Sequence, residues 1–249
     1  MRGVISSMLA ATALAAGTAG AQTAKTVGPL EVPALIAGVE ESTLSSQMPG
    51  KIRQVHVGLG DSFRKGARLI DFDCSEQWAQ LETAAAELRA ARETHLARMR
   101  LQALGAAGEL DVTVAAAAAE KARSQVALRE SQLAYCRVNA PFDGSVARLR
   151  VKQAESVAVG QPLLDVVNTV SLKAQMFVPA AWAGWLKTGT PLTINLKETG
   201  QSYEARISKI NSRVEGVSQQ LEVEAKLGKG EGRLLPGTVG TAVFEPPAR

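Results

Sequence analysis

The chain has 249 residues, of which 46% are hydrophobic, 21% charged and only 4% aromatic, the balance of a water-soluble protein of one to three modest domains and not of a disordered tail or a polytopic membrane protein. Lysine and arginine outnumber aspartate and glutamate 28 to 24, a surplus too thin for nucleic-acid binding. Few aromatics, two histidines and two cysteines cannot populate most catalytic or metal constellations, so composition leans away from an enzyme.

Arg2, an apolar stretch from Val4 to Ala16 and the ending Ala19-Gly20-Ala21 follow the order of a secretory signal peptide, which predicts a leader over residues 1–21 cleaved before Gln22. The alternative, an uncleaved membrane anchor, falls short of the ~20 apolar residues that span a bilayer. Export implies an oxidising compartment for Cys74 and Cys136. Residues 22–45 read as an N-terminal extended segment.

Residues 46–73 and 138–168 form an internal repeat at an offset of 94 residues, with no gap from Gly50–Phe72 to Gly144–Val166. Glycine, valine, serine, glycine, leucine and aspartate coincide at 50/144, 57/151, 62/156, 66/160, 69/163 and 71/165. Each half reads as strand, turn, strand, with apolar residues at Ile52, Val55 and Val57, turns at Gly60-Asp61 and Lys65-Gly66, and a closing strand from Leu69 to Phe72. Neither half buries a core alone, so the two are expected to pair face to face.

Between them, residues 74–137 lack proline and are nearly free of glycine. Cys74, Trp78, Leu81, Ala85, Leu88, Arg92, His95, Met99 and Gln102 mark one heptad seam; Val112, Ala115, Ala119, Ala122, Val126, Arg129, Leu133 and Cys136 mark a second. Leu104 to Leu110 is the turn and Asp111 the expected N-cap, giving an antiparallel helical hairpin ~40 Å long. With Gln102 or Ala103 opposite Asp111, facing positions add to about 214, leaving Cys74 and Cys136 about one turn out of register. They are either disulfide partners or small buried seam residues. His56 and His95 have no metal-ligand partner in sequence, and Met48, Met99 and Met176 lie far apart.

Residues 169–249 alternate as strands at Val170–Val178, Leu192–Leu196, Tyr203–Ile210, Leu221–Leu227 and Thr238–Phe244, with a helix at Ala180–Leu186, and predict a small β-barrel with Trp182 or Trp185 plugging one end. The fold class is therefore mainly β with an inserted α-helical hairpin.

Met48-Pro49-Gly50-Lys51-Ile52 in the first half and Ala140-Pro141-Phe142-Asp143-Gly144-Ser145-Val146 in the second, set around a hairpin, make residues 36 to 245 resemble the periplasmic adaptor, or membrane fusion protein (HlyD-type), family. The resemblance implies a split lipoyl-like (barrel-sandwich hybrid) domain, an antiparallel coiled-coil hairpin and a small β-barrel. It also implies a non-enzymatic linker without cofactor, because the hairpin follows Asp73 where a biotinyl or lipoyl carrier presents its modifiable lysine. The implied partners are an inner-membrane transporter, of resistance-nodulation-division type ahead of ATP-driven type, and a TolC-type outer-membrane channel. Self-association as a hexamer or trimer of dimers is implied as well, and the alternative is a coiled-coil scaffold without transport. Arg100, Leu104 and Asp111 match the spacing of the family's channel-docking tip, with aspartate where the family carries serine. The last predicted strand ends five residues before Arg249, so the barrel and the segment from Val27 to Ala37 are expected to contact the transporter.

Overall fold

The computed structural model describes residues 28–198, 200–228 and 234–245; the predicted leader, residues 1–21, lies outside the described residues. Among the described residues, fourteen strands, β1 to β14, two α-helices and one short 3-10 helix arrange as a closed barrel, two facing four-stranded sheets and a hairpin inserted between the halves of the sheet pair.

The sheet pair follows the repeat. β3 (Gly50–Val55), β4 (Ser62–Phe63) and β5 (Arg68–Phe72) recur 94 residues on as β7 (Gly144–Leu149), β8 (Ser156–Val157) and β9 (Pro162–Val167). Each short strand leaves its own half: β4 pairs with β7, and β8 pairs with β3. β2 (Glu41–Ser45) crosses likewise to β9, and β6 (Arg137–Asn139) to β5, so the sheets run β2-β9-β7-β4 and β6-β5-β3-β8. The core repeats too, since Ile52, Leu69, Ile70 and Phe72 are buried beside Val146, Leu163, Leu164 and Val166. Even the backbone repeats. Gly60 and Gly66 turn at positive φ, and so do their counterparts Ala154, at φ 68°, and Gly160.

A solvent-exposed side-chain pair recurs with one change of chemistry. Arg150 Nη2 donates to Asp165 Oδ2 at 2.8 Å, and at the equivalent place His56 Nε2 lies 2.8 Å from Asp71 Oδ2. The Arg150 hydrogen bond holds the Asp165 carboxyl below the ordinary carboxylate range, against the opposing effect of burial and with help from the Thr43 hydroxyl.

The barrel order is β1-β10-β13-β12-β11-β14, every neighbour antiparallel. β10 to β14 are Leu172–Pro179, Pro191–Leu196, Ser202–Val214, Gln220–Leu227 and Val239–Phe244. The sixth stave is β1, Leu30–Gly38, which turns Val32, Ala34 and Ile36 inward with period two and joins β14 to β10. The stretch expected as an extended segment, residues 22–45, thus supplies a strand to the barrel and another, β2, to the sheet pair. Alanines at 34, 174, 205, 225 and 242 alternate with Ile36, Met176, Ile194, Ile207 and Phe244 inside, which lets so narrow a barrel fill without voids. Ala180–Gly184 forms a single 3-10 turn across one end, where Trp182 and Trp185 lie with ring centroids 5.4 and 6.3 Å from Phe244.

Helices α1 (Ser75–Ala103) and α2 (Glu109–Ala134) pair along their length. The α2 seam runs where its heptads place it, with Ala115 and Ala122 buried. On α1 only Ala84 is buried, with Gln77, Gln80, Leu81, Ala85, Leu88, Ala91 and His95 half-buried, so Leu81, Leu88 and His95 hold while Trp78, Ala85 and Arg92 are less covered than the residue before each of them. Trp78 is 56% exposed and Met99 46%. The reason is volume: alanine opposite alanine lets the helices approach closely, and a tryptophan in that seam would hold them apart. The register is also tighter than expected. Arg129 Nη1 donates to Gln80 Oε1 at 3.0 Å and Cys74 meets Cys136, so facing positions add to about 210 and not 214.

Candidate docking site at the hairpin tip

The tip is made by how α1 stops. Gly105 takes φ +72°, its N–H donates to the Gln102 carbonyl at 2.9 Å, and the Ala106 N–H reaches back to the Leu101 carbonyl at 2.8 Å. This pair of reversed bonds ends a helix by satisfying carbonyls that would otherwise have no partner. It leaves Leu104, the C-cap, pointing away from both seams, 79% exposed.

Arg100 lies in the last turn of α1, where a cation complements the negative end of the helix dipole. Its guanidinium makes no hydrogen bond or ion pair among the described residues. Asp111 is not the N-cap. α2 begins at Glu109 with Gly108 as its cap, and Asp111 is the third helical residue, where its Oδ2 accepts the Gly108 N–H at 3.1 Å. The carboxylate thereby satisfies a free donor at the helix start and, with Glu109, faces the positive end of the dipole. The glycine cap explains the shift: with an extended φ, Gly108 enters the helix three residues early, and the aspartate stabilises it from inside.

Arg100, Leu104 and Asp111 therefore all sit on the terminal turns that meet at the tip. The sequence reading missed two companions there. Leu110 is 75% exposed and Val114 60% exposed, one turn apart on α2. Their signal was available as apolar residues four apart that both fall outside the Val112, Ala115, Ala119 seam. Together with Leu104 they make an exposed apolar patch at the end of the helix pair.

At the opposite end Cys74 and Cys136 form a disulfide with Cα atoms 6.1 Å apart, closing the hairpin where it enters the sheets. Both are buried in the sheet core. The adjoining backbone is tied as well, with Phe72 N–H donating to the Cys136 carbonyl and Asp73 N–H to the Lys51 carbonyl, each at 2.9 Å. The hairpin thus leaves the body from a fixed base.

No protein-family model matches the chain. A curated relative from Pseudomonas aeruginosa, the pyoverdine export membrane fusion protein PvdR, is 27% identical over 199 residues, covering 67% of this chain and 51% of the relative. Among solved structures, a MacA–MexA chimera carrying the Pseudomonas aeruginosa MexA α-hairpin domain superposes with a TM-score of 0.78 at 19% identity, covering 87% of this chain and 81% of that one. The chain is similar to membrane fusion proteins in sequence and shares their fold. The membrane fusion protein Spr0693 of Streptococcus pneumoniae shares the fold as well, at a TM-score of 0.73 and 17% identity over 88% of this chain and 99% of that one. The chain spans about half the length of the curated relatives it matches. Among the described residues no helix is long and apolar enough to cross a membrane.

Proposed function

We propose that the protein is a periplasmic adaptor that links an inner-membrane efflux transporter to a TolC-type outer-membrane channel, so that substrates leave across both membranes. The observation that carries this reading is the hairpin: a 29-residue helix and a 26-residue helix project from a disulfide-closed base and end in water-exposed Leu104 and Leu110. At ~1.5 Å per residue the longer arm reaches roughly 43 Å, farther than its neighbouring sheets need for packing. A helix pair that buries so little at its far end supports a docking role better than a structural one. The disulfide supports an oxidising compartment.

The tip enters interhelical grooves of the channel with Leu104 and Leu110, while Arg100 bonds carbonyls or carboxylates there. Asp111 is already engaged with Gly108, so its part is to hold the turn. A resistance-nodulation-division transporter is proposed ahead of an ATP-driven one on the Arg100 and Leu104 spacing, and copies of the chain assemble as a hexamer or trimer of dimers around the conduit. The adaptor carries out no reaction of its own. Arg100→Asp and Leu104→Asp test the reading: each lowers export by the cognate system, and lowers crosslinking to the channel, at unchanged protein level. Full export with both substitutions combined refutes tip docking. Absence of any export defect on deleting the gene favours the scaffold reading.

A further inference from the structure

One wall of the barrel carries more positive charge than it neutralises. The ladder sets Lys173 on β10 opposite Lys226 on β13, and Lys226 opposite Arg206 on β12, three cations in a row on the outer face. Like charges directly opposite one another weaken a sheet. The next row holds Glu224, whose carboxylate is shared by two ammonium groups: Lys173 donates to Oε1, and Lys209 Nζ lies 3.5 Å from Oε2. The Lys173 hydrogen bond keeps Glu224 ionised by holding its carboxyl below the usual range. Lys226 has no ion-pair partner among the described residues, and Arg206 reaches only the Gly189 carbonyl, at 3.5 Å.

Lys173, Lys209 and Lys226 front a groove of about 720 Å³, and Glu224 is its one acidic lining residue among the described residues. Its other wall is apolar, with Val39, Val170, Leu172 and Leu234. Val170 is held open at 76% exposure because the Asn168 side chain bonds the N–H groups of Val170 and Ser171 and fixes that connection. The size lies within the usual range for small-molecule sites, as does an apolar lining with a few convergent polar groups.

We propose that this groove binds a small organic anion with an apolar body, its carboxylate or phosphate ester held by Lys226 and Lys209 and its apolar part lying along Val170 and Leu172. Glu224 holds Lys173 closely at Oε1 and Lys209 more loosely, 3.5 Å from Oε2 on a side chain 78% exposed, so an incoming anion meets Lys226, unpaired among the described residues, and Lys209, readily released. The site stands apart from the hairpin tip and does not depend on which partners the tip engages.

Calorimetric titration of the purified chain with decanoate and with decyl phosphate, below their micelle-forming concentrations, tests it, with decanol as the neutral control. The expected result is saturable binding of at least one anion, at least tenfold tighter than decanol, with the anion that wins identifying the headgroup. Lys226→Gln and Lys209→Gln, both on exposed side chains, each weaken binding about tenfold at unchanged melting temperature, and Lys197→Gln leaves it unaltered. No saturable binding of either anion overturns the proposal, and so does binding that is equal for decanol or indifferent to both lysine substitutions.

Discussion

Replacing Cys74 and Cys136 with alanine removes the covalent closure at the hairpin base. The bridge joins residues 62 apart, so on the loop-entropy model it withholds about 14 cal/mol/K from the unfolded chain, or about 4 kcal/mol at 25 °C. That is of the order of half the stability of an ordinary domain. The barrel and sheet cores are separate clusters, and both cysteines belong to the sheet cluster. The loss therefore falls on one unit. In urea, followed by hydrogen exchange resolved along the chain, the sheet and hairpin amides of the double variant open about 4 kcal/mol more easily while the barrel amides from Ala174 to Phe244 keep their protection. Reduced wild-type protein shows the same pattern. A loss below about 1 kcal/mol refutes the chain-entropy account. An equal loss in the barrel refutes the separation of the two cores.

Three further outcomes follow from the repeat. Ala154→Gly, which relieves a left-handed backbone at φ 68°, stabilises by about 1 kcal/mol in chemical denaturation, and Gly60→Ala at the matching turn costs about the same. Gly144→Ala brings a Cβ within 2.2 Å of the Val167 carbonyl oxygen, a backbone clash that costs about 3 kcal/mol or more, whereas Gly50→Ala, whose nearest neighbour is a Phe72 ring atom at 3.4 Å, costs less than half as much by the same assay. Asp165 has its folded pKa depressed chiefly by Arg150, so its contribution is fully present above the unfolded carboxylate pKa of about 4 and is lost as pH falls through the lower folded value. Arg150→Gln is accordingly less stable than wild type at pH 6, and the two urea midpoints draw together as pH falls below the unfolded carboxylate range; a gap of constant size would contradict this origin.

The repeat was legible because a period of 94 residues keeps its strands, its turns and its buried aliphatics in step, and each of these leaves a mark on residue type. The barrel staves after Val170 were legible for the same reason, as short alternating runs between glycine and proline turns. β1 was harder. Its alternation of Val32, Ala34 and Ile36 is plain in hindsight, but Pro33 interrupts it, and its ladder partners begin at Leu172. Nothing local reports a pairing so distant. The α1 seam was misplaced by one residue because hydrophobicity favours Trp78 and Met99, whereas close helix packing is decided by what is small. At the tip, Leu104 was singled out through the family resemblance alone, since the heptad pattern does not mark it. Leu110 and Val114 were passed over because they break the seam pattern, which is the very property that leaves them exposed.

The exchange of short strands between the two halves has a consequence for the order in which the molecule is made. β3 cannot complete its ladder until β8, about a hundred residues later, has emerged, and β1 waits for the final strand, β14, to seal it. Of the large units, only the hairpin finds all its contacts within one continuous stretch of chain. Both β units therefore rest on pairings distant in sequence and are slow to close. In such a chain the hairpin can form first, the sheet pair closes once β9 has emerged, and the barrel waits for β14 to meet β1.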